Sequence, residues 1–69
     1  MFNNILLKNL RSKQGLTAES LVLELYKQAN VKISRPTLIN WEQGRSEPKA
    51  SQAYLISKYF RKPMEKFFV

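Results

Sequence analysis

Helix stops and helix starts alternate so closely along this 69-residue chain that only short helices fit between them. Gly15, Asn30 and Gly44 tolerate the left-handed backbone on which helices end. Asn3 or Asn4, Thr17 and Ser34 carry the short side-chain oxygens that satisfy free amides at a helix start. Pro36 and Pro63 suit a first turn, where a missing N–H costs nothing, and Pro48 marks a loop before the next start. Within each stretch apolar residues recur three and four apart, which puts them on one face. Leu6, Leu7 and Leu10 do so in the first, Leu21 and Leu25 in the second, Leu38 and Trp41 in the third, and Ala53, Ile56 and Phe60 in the fourth. The spacing predicts an all-α chain with helices over about residues 4–14, 18–29, 35–43, 49–60 and 63–68, forming one domain over 1–69 without linker or repeat.

An apolar fraction of 43% is ordinary for a folded protein and too high for a disordered tail. A domain this small buries only about 60% of the surface its unfolded chain exposes, so packing has to carry the fold. Neither cysteine nor histidine is present, which excludes a disulfide framework and a thiolate zinc site and removes the usual proton shuttle near neutral pH. No metal and no cofactor are expected. There is no Asp, and no two Glu residues converge on one obvious site, so general acid–base catalysis lacks candidates. No apolar run approaches the roughly 18 residues that span a bilayer. The opening Met1-Phe2-Asn3-Asn4 lacks the basic segment and apolar run of a secretory leader. A cytoplasmic location is the expectation.

Twelve Lys and Arg against five Glu leave a net charge of +7. Such an excess on a small surface attracts a polyanion. Charge alone leaves three readings: nucleic acid, a soluble or protein-binding surface, and an anionic membrane. The membrane reading is the poorest, because the basic residues are scattered rather than gathered opposite an apolar face. Tyr26, Tyr54, Tyr59, Phe60, Phe67 and Phe68 have a reading as stacking platforms for unpaired bases. Most stand at helical spacing among aliphatic residues, which is how core residues recur. Phe67, Phe68 and Val69 are hard to bury in so short a chain, and they, or Met1 and Phe2, are candidates for a dimer patch.

The run Ser34-Arg35-Pro36-Thr37-Leu38-Ile39-Asn40-Trp41-Glu42-Gln43-Gly44-Arg45 resembles the recognition helix of the phage repressor and Cro class of helix-turn-helix proteins. Leu10 to Thr17 is similar to the end of that class's first helix, Glu47-Pro48 and Ala53 to Phe60 to its fourth, and Met64 to Phe68 to its last. The resemblance covers about residues 4–68 and implies a compact five-helix, lambda-repressor-like domain that lays helix 35–43 in the major groove of double-stranded DNA. Arg35 then falls where the class reaches base edges, and its two parallel donors match guanine O6 and N7. Thr37 and Asn40 share the exposed face, Asn40 being suited to adenine or phosphate, while the adjacent Pro36 brings no donor. Ile39 stands at an outward position that is often polar, and it has two readings: contact with DNA, or packing.

The same resemblance assigns Thr17, Gln43, Arg45 and Lys49 to phosphates, with Lys32 as a further candidate, so that they position the domain without reading sequence. Arg11 and Glu42 match a charge pair that locks the first helix to the end of the third. Glu47 is read as pairing locally or facing solvent. Two departures stand out. Ala18 occupies the position where the class commonly carries a phosphate-binding Gln. Thr17 to Ser34 is also longer than usual for the class, with most of the excess over Tyr26 to Val31. The tight turn is therefore lost, and the motif survives only if this insert bulges outward. Lys27 and Lys32 lie in or beside it, so it either adds a backbone contact or is a plain solvent excursion.

The expected function is a sequence-specific transcriptional regulator of the Cro or repressor kind. It would act as a homodimer on a two-fold symmetric operator, with half-sites about one helical turn apart, in a bacterium or as a phage protein in a bacterial host. The alternative is a helical protein-interaction module that keeps the fold without reading DNA, a reading favoured by Ile39 and Ala18.

Overall fold

The computed structural model describes residues 1–68. Four α-helices run in order, α1 (Asn4–Lys13), α2 (Ala18–Ala29), α3 (Arg35–Glu42) and α4 (Ala50–Phe60), followed by a single 3₁₀ turn, Met64–Lys66. The starts of the first three helices are capped by residues that their chemistry designates. Asn3 Oδ1 accepts from the Leu6 amide at 3.1 Å, Thr17 Oγ1 from the Ser20 amide at 3.0 Å, and Ser34 Oγ from the Thr37 amide at 3.3 Å. At α4 the reach is reversed, and Gln52 Oε1 accepts from the Lys49 amide at 2.8 Å. Gln14, Gln43 and Lys49, expected inside helices, stand at caps instead. The stops also follow from backbone sterics: Asn30 ends α2 at φ 55°, and Gly15 and Gly44 leave α1 and α3 at φ 71° and 76°.

One buried cluster holds these elements together. Leu7 enters it from α1, Leu21 and Leu25 from α2, Leu38 and Trp41 from α3, and Ala53, Ile56 and Phe60 from α4. These are the residues that helical spacing placed on inward faces. Tyr59 packs edge-on against Phe60 at 5.0 Å between centroids and is partly buried, whereas Tyr26 and Tyr54 are exposed.

The chain ends depart from expectation. The last helix, expected over 63–68, is only one 3₁₀ turn, because the residues after it pair with the N-terminus. Phe68 forms an antiparallel β-bridge with Phe2, and the Asn3 amide donates to the Phe67 carbonyl at 2.7 Å. That pairing needs extended backbone and cannot coexist with helix. It also buries Phe2 and Phe67, whose rings stack at 5.9 Å, so two members of the expected dimer patch belong to the core instead. Met1 and Phe68 remain exposed, and Val69 lies outside the described residues. Glu47, expected to pair locally or face solvent, accepts from the distant Phe2 amide at 3.2 Å and ties the loop after α3 to the N-terminus.

The long connection is part helix and part pinned coil. Tyr26 to Ala29 extend α2 by a further turn, and the chain then returns to Ser34 through Ile33, which is buried in the core, and Val31, which packs against it. The segment is thus neither a loose solvent excursion nor an outward bulge along its whole length. Burial of Ile33 ties it to the core, and α2 packs directly on α3.

Candidate nucleic-acid interface

Helix α3 is seated from below and from its end. Leu38 and Trp41, three apart on its underside, are buried in the core. At its C-terminus the Glu42 carboxylate, almost wholly buried, takes two hydrogen bonds from Arg11 of α1: Nε to Oε2 at 2.6 Å and Nη2 to Oε1 at 2.9 Å. The third arm of the same guanidinium, Nη1, donates to the Leu16 carbonyl at 2.8 Å. Hydrogen bonding to Glu42 raises the Arg11 pKa further above its ordinary value; burial opposes this, and the Glu42 charge adds to it. Asn4 Nδ2 donates to the Glu42 carbonyl at 3.0 Å, a second tie from α1. Held in this way, α3 keeps its first turn, with Arg35 and Pro36, exposed.

Among the candidate base-reading residues, Arg35 and Pro36 are exposed at the first turn of α3, whereas Thr37, Ile39 and Asn40 are half-buried. The Thr37 hydroxyl lies 2.7 Å from Ser34 Oγ, so it is shared with the helix cap. Ile39 packs against the core and borders a cleft with Arg11, Leu16, Ala18 and Arg35. The Asn40 carbonyl accepts from the Arg45 amide at 2.9 Å, which fixes the chain exit.

The candidate phosphate residues Thr17, Lys32, Gln43, Arg45 and Lys49 are all exposed. They occupy the start of α2, the α2–α3 connection and the loop after α3. The Thr17 hydroxyl already caps α2 and lies 2.9 Å from Ser20 Oγ, donating to it. Ala18 is buried, so its side chain has no route to a phosphate.

Beside α3 the structure adds one contact and one cavity. Glu19, in the first turn of α2, stands 3.8 Å from Arg35 Nε, joining two residues sixteen positions apart. A cavity of about 430 Å³ opens beside that pair, walled by Val22, Leu23, Tyr26 and Ile33 and edged by Lys32. The exposed Leu23 and Tyr26 were the available signal for the cavity, since both sit off the inward face of α2. No linear signal marks the Glu19–Arg35 contact.

A family model described as helix-turn-helix matches residues 7–67, almost the whole chain. The chain belongs to this helix-turn-helix family, of the Cro and lambda repressor type. Searches among curated proteins and among solved structures return no match. The family is one of DNA-binding helix-turn-helix regulators, which act on double-stranded DNA. No helix among the described residues is long and apolar enough to cross a membrane.

Proposed function

We propose that this chain is a sequence-specific transcriptional regulator that lays α3 in the major groove of an operator. The observation that carries the reading is Arg35: a guanidinium on the first turn of a helix immobilised by Leu38, Trp41 and Glu42, with 60% of its side chain exposed. A side chain so placed reaches base edges while its backbone stays fixed, and two parallel donors suit guanine. Asn40 and Thr37 follow on the same helix as readers of neighbouring bases, with Pro36 and Ile39 supplying apolar contact. Arg45, Lys49, Gln43, Lys32 and the Thr17 end of α2 meet phosphates. The net charge of +7 supports a large electrostatic share in affinity. Repression or activation would follow from occupancy of the site, with a homodimer matching two half-sites one helical turn apart.

The test is selection from a random duplex pool by the wild-type chain and by Arg35→Ala. A two-fold symmetric enriched site that loses preference at one base pair per half-site in the variant supports the reading. Failure to enrich any duplex refutes it. The apolar cavity beside Leu23 and Tyr26 favours a second reading, a module that binds another protein. Salt separates the two, because affinity carried by phosphates falls steeply as salt rises.

A further inference from the structure

We infer that Glu19 is a specificity-determining residue, which restrains Arg35 so that phosphates compete poorly for it while a guanine edge does not. The inference rests on the reading of Arg35 as a base-contacting residue and extends it to a group outside α3. Glu19 lies in the first turn of α2 and Arg35 in the first turn of α3, and the carboxylate approaches the guanidinium through Nε at 3.8 Å. Both side chains are largely exposed, at 79% and 60%. A pair this exposed and this long adds little to folding stability. Its effect falls instead on what Arg35 can bind.

With the closest approach at Nε, the terminal Nη1–Nη2 edge, which carries two parallel donors, comes no nearer to the carboxylate than 3.8 Å. A guanine presents O6 and N7 in the matching geometry. A phosphate can approach an arginine from any side, and near Nε it meets the negative charge of Glu19. The carboxylate therefore penalises loose, backbone-only docking more than registered docking, which is specificity obtained by repelling the wrong mode. The pair also stands between two clefts, the apolar cavity walled by Leu23 and Tyr26 and the cleft bordered by Ala18 and Ile39. With Ala18 buried in the second cleft, Glu19 is the residue in the first turn of α2 that meets Arg35.

The experiment is a cycle of the 69-residue wild-type chain, Glu19→Gln, Arg35→Ala and the double variant. Each is measured at one salt concentration on three duplexes: the site selected by wild type, that site with the Arg35-dependent base pair changed, and a random duplex. Glu19→Gln should tighten binding to the random duplex and to the changed site by about two- to fivefold, the span of an exposed ion pair, with a smaller gain on the selected site. In the Arg35→Ala background the same substitution should shift all three duplexes equally, because only a general negative charge is then lost. Equal shifts on all three duplexes with Arg35 present overturn the inference, and so does the same narrowing with Arg35 absent. If Arg35→Ala leaves base preference intact, the base-reading role of Arg35 itself falls, and that result is visible before Glu19 is altered. Circular dichroism melts confirm that the surface substitutions leave the fold in place.

Discussion

Cutting the Arg11–Glu42 lock from its two sides should give unequal losses. Glu42 keeps only 4% of its side-chain surface exposed, against 16% for Arg11. Arg11→Met strands a buried carboxylate without its two donors, and stranding one member of a buried pair costs about 3–5 kcal/mol. Glu42→Gln leaves a neutral acceptor near Arg11, which keeps its bond to the Leu16 carbonyl and some access to water. The loss there should be about 1–2 kcal/mol, the cost of weakened charge-assisted hydrogen bonds. Replacing both members, as in Arg11→Met with Glu42→Leu, removes the stranded charge and should return stability to within about 1 kcal/mol of wild type.

Stability of roughly 0.05–0.15 kcal/mol per residue makes the first of these losses a large share of the total for so small a chain. At about 4–8 °C per kcal/mol, Arg11→Met should melt at least about 12 °C lower. Urea unfolding followed by the fluorescence of Trp41, the sole tryptophan and adjacent to Glu42, measures all four proteins. The reasoning is refuted if Arg11→Met is no worse than Glu42→Gln, or if the double variant is as unstable as Arg11→Met. Titration is a poor substitute for the mutants. The Arg11 pKa is raised, so its contribution is complete below the unfolded value and is lost only as pH climbs through a folded value above the ordinary arginine range.

Gly44→Ala should destabilise by about 1–2 kcal/mol through its left-handed φ of 76°, since the new Cβ would meet Asn4 Nδ2 only at an ordinary contact distance of 3.4 Å. Gly15→Ala, at φ 71° with open space around it, should lose a similar amount in thermal melts, and a clearly larger loss at Gly44 would show that backbone strain is not the whole cost. Burial, helped by the charge of Glu24, raises the Tyr59 pKa above its ordinary 10.0. Its contribution is therefore whole below pH 10.0 and drains away as pH rises through the higher folded value. Tyr59→Phe should flatten the fall in melting temperature on the alkaline side, and an unchanged slope would contradict this assignment.

Much of this fold is legible locally. Asn3, Thr17 and Ser34 cap helices because a short side-chain oxygen satisfies an amide a few residues on, and no distant partner is needed. Leu38 and Trp41 turn inward because they are three apart on a helix. The Arg11–Glu42 pair is legible only through resemblance, since nothing in the spacing of two residues thirty-one positions apart announces contact. The Glu19–Arg35 contact carried no such marker, and it emerges only once α2 and α3 are packed. The last segment departs from its local signals for a related reason. Pro63 and Met64 do suit a helix start, but Phe67 and Phe68 are claimed by Phe2 and Asn3 from the other end of the chain.

The first four helices, their order and their inward faces, together with the excess positive charge, follow from the residues taken alone, because backbone preference and burial of an apolar stripe act within a few positions of each residue. Packing decided how the long α2–α3 connection is held, which ends of the chain join the core, and which carboxylate stands beside Arg35. Those outcomes depend on groups far apart in sequence competing for the same neighbours, and only the folded chain brings them within reach of one another.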